Sequence, residues 1–123
     1  MDGKRVLVID DDVDTRILME KVLSHEGYQV LLAKTGFDGI KIFEEEECDI
    51  VLVDFSLPDI DGVEVARILR EKKGSSFPLI AMTAHSEEVI QSRYPEALKI
   101  FTGFCIKPFT FQSLLSLLQK YLL

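Results

Sequence analysis

Val6-Leu7-Val8-Ile9-Asp10-Asp11-Asp12 is an apolar run without alternation that stops on carboxylates. A strand wetted on one face alternates apolar and polar residues. An unbroken run needs cover on both faces, as in a parallel sheet held between two layers of helices. Two further runs have the same form: Ile50-Val51-Leu52-Val53 stops on Asp54, and Leu79-Ile80-Ala81-Met82 stops on Thr83. A fourth, Phe104-Cys105-Ile106, stops on Lys107-Pro108. Ligands of open parallel sheets lie outside the carboxyl ends of the strands, so these polar ends converge on one site. Carboxylates a few Å apart repel by roughly 3 kcal/mol per pair at an effective dielectric of about 20. One Lys cannot neutralise three of them, and a hard divalent cation completes such a site.

Helical patterns fill the intervals. The first places Ile17, Leu18 and Val22 with Met19 and Leu23 on an apolar stripe, the second Phe37, Ile40 and Phe43, the third Val65, Ile68 and Leu69. The last carries Phe111, Leu114, Leu115, Leu118 and Leu122 at helical spacing. Gly27 closes the first helix, and a strand over Tyr28 to Ala33 follows. Five strands alternating with helices through right-handed crossovers predict an α/β fold: a doubly wound five-stranded parallel sheet of order 2-1-3-4-5, flavodoxin-like, with helices on both faces. Between Thr83 and Phe104 the pattern is irregular. Ser86 caps a helix with Glu87 and Glu88 in its first turn, Tyr94-Pro95 breaks it, and Pro95-Glu96-Ala97-Leu98 opens a second short turn.

The 123 residues, 47% hydrophobic, suit one domain over 1–123 that needs no disulfide. Cys48 and Cys105 read as small packed thiols. A net charge of −7 argues against binding nucleic acid and favours a protein partner with a basic patch. No apolar stretch approaches the roughly 20 residues that cross a bilayer, so a cytoplasmic chain is expected.

The motifs Val-Leu-Val-Ile-Asp10-Asp11-Asp12, Leu52-Val53-Asp54-Phe55-Ser56-Leu57-Pro58-Asp59-Ile60-Asp61-Gly62, Met82-Thr83-Ala84 and Ile106-Lys107-Pro108-Phe109 together resemble the CheY-like receiver domain of response regulators, across essentially the whole chain. The resemblance implies that Asp54 accepts a phosphoryl group from a phosphohistidine on a histidine kinase or histidine phosphotransfer protein. It implies Mg²⁺ held by Asp11, Asp54 and the main-chain carbonyl of Ser56, with Asp10 orienting a metal-bound water or binding the ion. Thr83 and Lys107 would hold phosphoryl oxygens, and the Lys107-Pro108 bond would be cis. Phe104 stands where the family's switch aromatic fills space vacated by the Thr; as Phe it lacks a phenolic hydrogen bond. Ser56 and His85 take the positions flanking the water that hydrolyses the acyl phosphate. Thr15, Arg16, Met19 and Phe109 are the expected contacts for the donor, and a downstream protein, or the rest of a larger parent chain, the expected target. A monomer or weak dimer that assists its own phosphorylation, rather than an enzyme, is implied.

The chemistry agrees. Phosphoryl transfer depends on positioning and charge stabilisation more than on a base, and oxygen-only ligands suit Mg²⁺ better than Zn²⁺. Plainer roles remain for some residues: capping for Asp12 or Asp14, a helix-terminal place for His25, the turn into the third helix for Gly62. Two features depart from the family. Lys99-Ile100-Phe101-Thr102-Gly103 replaces the usual Gly-Ala pair, and the interval from Thr83 to Lys107 is about two residues longer than usual. Ile100 and Phe101 are either ordinary packing or an exposed partner patch. Two rivals are a haloacid-dehalogenase-like phosphohydrolase, for which Asp10-x-Asp12 nearly fits but Asp14 occupies the Thr/Val place, and a receiver that binds partners without phosphorylation. A flavin-binding domain fits poorly, because Asp10-Asp11-Asp12 would repel a phosphate.

Overall fold

A computed structural model describes residues 3–74 and 76–122. Strands β1 (Arg5–Ile9), β2 (Gln29–Ala33), β3 (Ile50–Asp54), β4 (Leu79–Thr83) and β5 (Gly103–Ile106) form one parallel sheet. Its order is β2-β1-β3-β4-β5, the order expected. The helices among the described residues are α1 (Val13–His25), α2 (Gly36–Glu45), α3 (Gly62–Lys73), α4 (Glu87–Arg93), α5 (Ala97–Ile100) and α6 (Phe111–Leu122).

The two-residue period of the strands sorts the core into two layers. Leu7, Ile9, Val51, Val53, Leu79 and Ala81 point to the face covered by α2 to α5, against Phe43, Leu69, Ile90 and Phe101. Val6, Val8, Ile50, Leu52, Ile80 and Met82 point to the face covered by α1 and α6, against Met19, Leu23, Leu114 and Leu118. Each fully buried aliphatic side chain contributes about 1.5–3 kcal/mol by leaving water, so both layers are needed to hold the sheet.

The helical stripes are narrower than the sequence suggests. On α1 the core line runs through Met19 and Leu23, one turn apart, while Ile17 and Leu18 remain 50% and 49% exposed on its flanks. On α2 the line is Gly36, Gly39, Ile40 and Phe43, which leaves Phe37 60% exposed. Phe111 opens α6 with its ring exposed, before the helix turns Leu114 inward.

Local chemistry sets the ends. Asp12 caps α1 by accepting the Thr15 N–H at 3.0 Å, and Gly27 supplies the positive φ of 93° beyond its last turn. Ser86 caps α4, which stops at Arg93 before Tyr94-Pro95, and the four-residue α5 follows. The departure ahead of β5 is packing, not a surface patch: Phe101 is buried and Ile100 half-buried against the same layer. Arg70 ties this segment to α3. Its guanidinium donates to Ile100 O, Phe77 O, Gly74 O and Thr102 Oγ1, and lies 4.6 Å from the Phe77 ring centroid.

Candidate functional site

The carboxyl ends of β1, β3, β4 and β5 bring the expected residues together. Asp10 follows β1, and its N–H makes a last sheet bond to Ala33 O at 3.0 Å. Asp54 ends β3 and Thr83 ends β4. Lys107 follows β5, and its N–H donates to Thr83 O at 2.7 Å. The bond from Lys107 to Pro108 is cis, as expected. Carboxylate oxygens of Asp10, Asp11 and Asp54 lie within 4.8 Å of one another. Asp10 is fully buried and Asp54 nearly so, whereas Asp11 is exposed.

The Lys107 ammonium bridges two of the three, with Nζ 3.2 Å from Asp10 Oδ2 and 3.3 Å from Asp54 Oδ2. The remaining oxygens of that pair are also engaged: Asp12 N–H donates to Asp10 Oδ1 at 2.9 Å, and Ser56 N–H to Asp54 Oδ1 at 3.1 Å. Burial pushes the Asp54 carboxyl above its ordinary value, and the Asp10 charge adds to this, although the Ser56 N–H and Lys107 oppose it. Burial alone would lower Lys107, but Asp10 and Asp54 outweigh it and hold the ammonium above its usual value. Thr83 Oγ1 accepts the His85 N–H at 3.0 Å. The Ser56 side chain is exposed beside the site.

Gly62 is required for the close approach of α3. A Cβ there would sit 2.2 Å from the Asp54 carbonyl oxygen and 2.8 Å from Phe55 Cα. Asp61 caps the helix, accepting from Val63 N–H and Glu64 N–H. Asp59 went unassigned at the sequence level. Its two oxygens accept the Gly36 and Phe37 N–H groups, each at 2.9 Å, and so fasten the loop after β3 to the start of α2. Its partners lie 23 and 22 residues away, and no local pattern announces them.

The remaining expectations divide. His85 is half-buried, its ring 5.6 Å from Tyr94 and 6.2 Å from Phe55. Phe55 also meets Phe101 at 5.8 Å, and Phe101 meets Phe104 at 5.8 Å, so rings run from the residue after Asp54 to Phe104. Thr15, Met19 and Phe109 line an apolar hollow of about 580 Å³ between α1 and the segment after β5. Met19, at 1% exposure, belongs to the core and is not available as a surface contact; Leu18, on the same hollow, is exposed. Arg16 turns away from it, its Nη1 donating to Asp10 O at 2.8 Å. His25 lies in the last turn of α1. Both cysteines are buried and free, with burial pushing each thiol up to about 11.

A hard cation fits this donor set. Three carboxylates crowd one mouth, every donor is oxygen, and one ammonium is the only bonded countercharge among the described residues. Sheet order, acidic cluster and placed Lys thus define a class, and the chain belongs to the response regulator receiver domain family, which it matches over residues 6–119. It is 32% identical to sporulation initiation phosphotransferase F of Bacillus subtilis (strain 168), over 99% of this chain and 96% of the relative. It is 38% identical to the alkaline phosphatase synthesis transcriptional regulatory protein PhoP of the same organism, over 70% of this chain but only 35% of that longer protein. Among solved structures, response regulator TrrA of Thermotoga maritima, in complex with Mg²⁺-BeF, matches with a TM-score of 0.85 and 33% identity, over 97% of this chain and 99% of that one. The chain is therefore a receiver domain of two-component signalling, a signalling module and not a conventional enzyme. No helix among the described residues is long and apolar enough to cross a membrane.

Proposed function

We propose that residues 1–123 form one phosphoacceptor unit in which Asp54 takes a phosphoryl group from a phosphohistidine on a histidine kinase or histidine phosphotransfer protein. The observation that carries this reading is the Lys107 ammonium spanning Asp10 and Asp54 at 3.2 and 3.3 Å, in a cluster whose carboxylates lie within 4.8 Å. An Asp54 oxygen attacks phosphorus, the phosphorus–nitrogen bond breaks, and its electron pair stays on the departing imidazole. Little of the work is proton transfer; it is alignment and charge stabilisation. Lys107 shifts from bridging two carboxylates to meeting the transferred oxygens, and the Thr83 hydroxyl, already oriented by the His85 N–H, meets another.

Asp11, Asp54 and the main-chain carbonyl of Ser56 would hold Mg²⁺, with Asp10 binding it or a coordinated water; the ion would neutralise charge on the phosphoryl oxygens. Thr15 and Phe109, with Leu18, offer the donor an apolar seat beside the acceptor. Phe104 and the rings behind it would carry the change to the face of α4 and β5, where a downstream protein reads it. A monomer or weak dimer in the cytoplasm goes with this reading.

Intact mass after incubation with acetyl phosphate tests it. The chain should gain one phosphoryl group with Mg²⁺, none with EDTA, and none as Asp54→Ala. No gain under any condition, including with a phosphorylated histidine donor, would leave a binding module that works without phosphorylation.

A further inference from the structure

Asp11 is the exposed member of the carboxylate cluster, and it makes no hydrogen bond among the described residues. The direction of its Cα–Cβ bond, from which the carboxylate swings, is set by its backbone. The φ and ψ of a residue are rotations between the two rigid peptide planes that flank it. The plane after Asp11 is held by its N–H, which belongs to Asp12 and donates to Asp10 Oδ1 at 2.9 Å. The plane before it is held by its carbonyl, Asp10 O, which accepts from Arg16 Nη1 at 2.8 Å. Arg16 is itself fixed in the first turns of α1, its N–H bonded to Asp12 O at 3.1 Å and the helix capped by Asp12.

We propose that Arg16 is a positioning residue for the metal site: by gripping the carbonyl between Asp10 and Asp11 it aims the Asp11 carboxylate into the cluster. The inference rests on Asp11 serving as a Mg²⁺ ligand. Charge and geometry predict opposite signs here, which makes the idea testable. As a nearby positive charge, Arg16 repels a divalent cation, and its removal should tighten binding. As a clamp on the Asp10 to Asp11 peptide it preorganises a ligand, and its removal should weaken binding.

The experiment is calorimetric titration of Mg²⁺ into the wild type, Arg16→Met, Arg16→Leu, Asp11→Asn and the double variant Asp11→Asn with Arg16→Met. Arg16→Met, which keeps the aliphatic stem, should weaken Mg²⁺ about tenfold, the low end for a group that orients a metal ligand. In the Asp11→Asn background the same change should add nothing, because Arg16 acts through Asp11. An unchanged or tighter dissociation constant for Arg16→Met overturns the proposal. Should that variant fail to fold, Arg16→Leu decides: it likewise removes the donor to Asp10 O, so weakened binding supports the clamp and wild-type binding overturns it. A wild type without saturable Mg²⁺ binding, or Asp11→Asn binding as the wild type does, overturns the metal reading as well, and so separates the two failures.

Discussion

At Asp54, burial and the neighbouring Asp10 disfavour the charged form more than the Ser56 N–H and Lys107 favour it, so the carboxyl titrates above 3.8 in the fold. Between 3.8 and that raised value the native state binds more protons than the unfolded chain. Stability therefore falls as pH rises through this window, and the full cost remains at neutral pH. Without Mg²⁺, Asp54→Asn should melt above the wild type near neutral pH, with the gap closing below 3.8; thermal scans at both pH values check it, and equal melting at neutral pH would contradict it. Gly62→Ala should act in the opposite direction. Its Cβ would meet main-chain atoms, the Asp54 carbonyl oxygen at 2.2 Å among them, and overpacking of this kind costs about 1–3 kcal/mol in urea denaturation. Asp54, Lys107 and the acidic pair Asp10 and Asp11 were legible in sequence because each group ends an apolar run. Asp59 and the inward turn of Arg16 were not, since both depend on partners that only the folded loops bring near.

Among the elements, strands were legible and helix faces only partly so. An unbroken apolar run has one reading in a doubly covered sheet, but a helix with apolar residues at Ile17, Leu18, Met19, Val22 and Leu23 offers more candidates than its neighbours can cover. The break at Tyr94-Pro95 was readable from the proline. The anchoring of the following segment was not, because it rests on Arg70, a helix residue 30 positions from Ile100 in sequence. Thr102 completes the join, its Oγ1 accepting from Leu79 N–H and from Arg70 Nη2, each at 3.0 Å. Arg70→Met leaves the Ile100 and Phe77 carbonyls and the Thr102 hydroxyl without this donor. It should cost about 2 kcal/mol in urea unfolding, while Arg67→Met on the exposed side of α3 should cost less than about 0.5 kcal/mol.

For the molecule as a whole, the cluster at the sheet's carboxyl edge should make stability depend on cation concentration. At a hundredfold excess over its dissociation constant, Mg²⁺ should add about 2.7 kcal/mol, and Asp54→Ala should lose most of that gain in calorimetric melting. The division of the core by the sheet has a further outcome for the two cysteines. Cys48 lies in the layer under α2 to α5 and Cys105 in the layer under α1 and α6. Both thiols are shielded, so neither reacts until its own compartment opens. Labelling each with a chromogenic disulfide across a urea series turns them into a pair of clocks, one per compartment. Matched rates would mean that the halves breathe as a single unit, and a faster Cys48 would show that the α2-to-α5 layer loosens first.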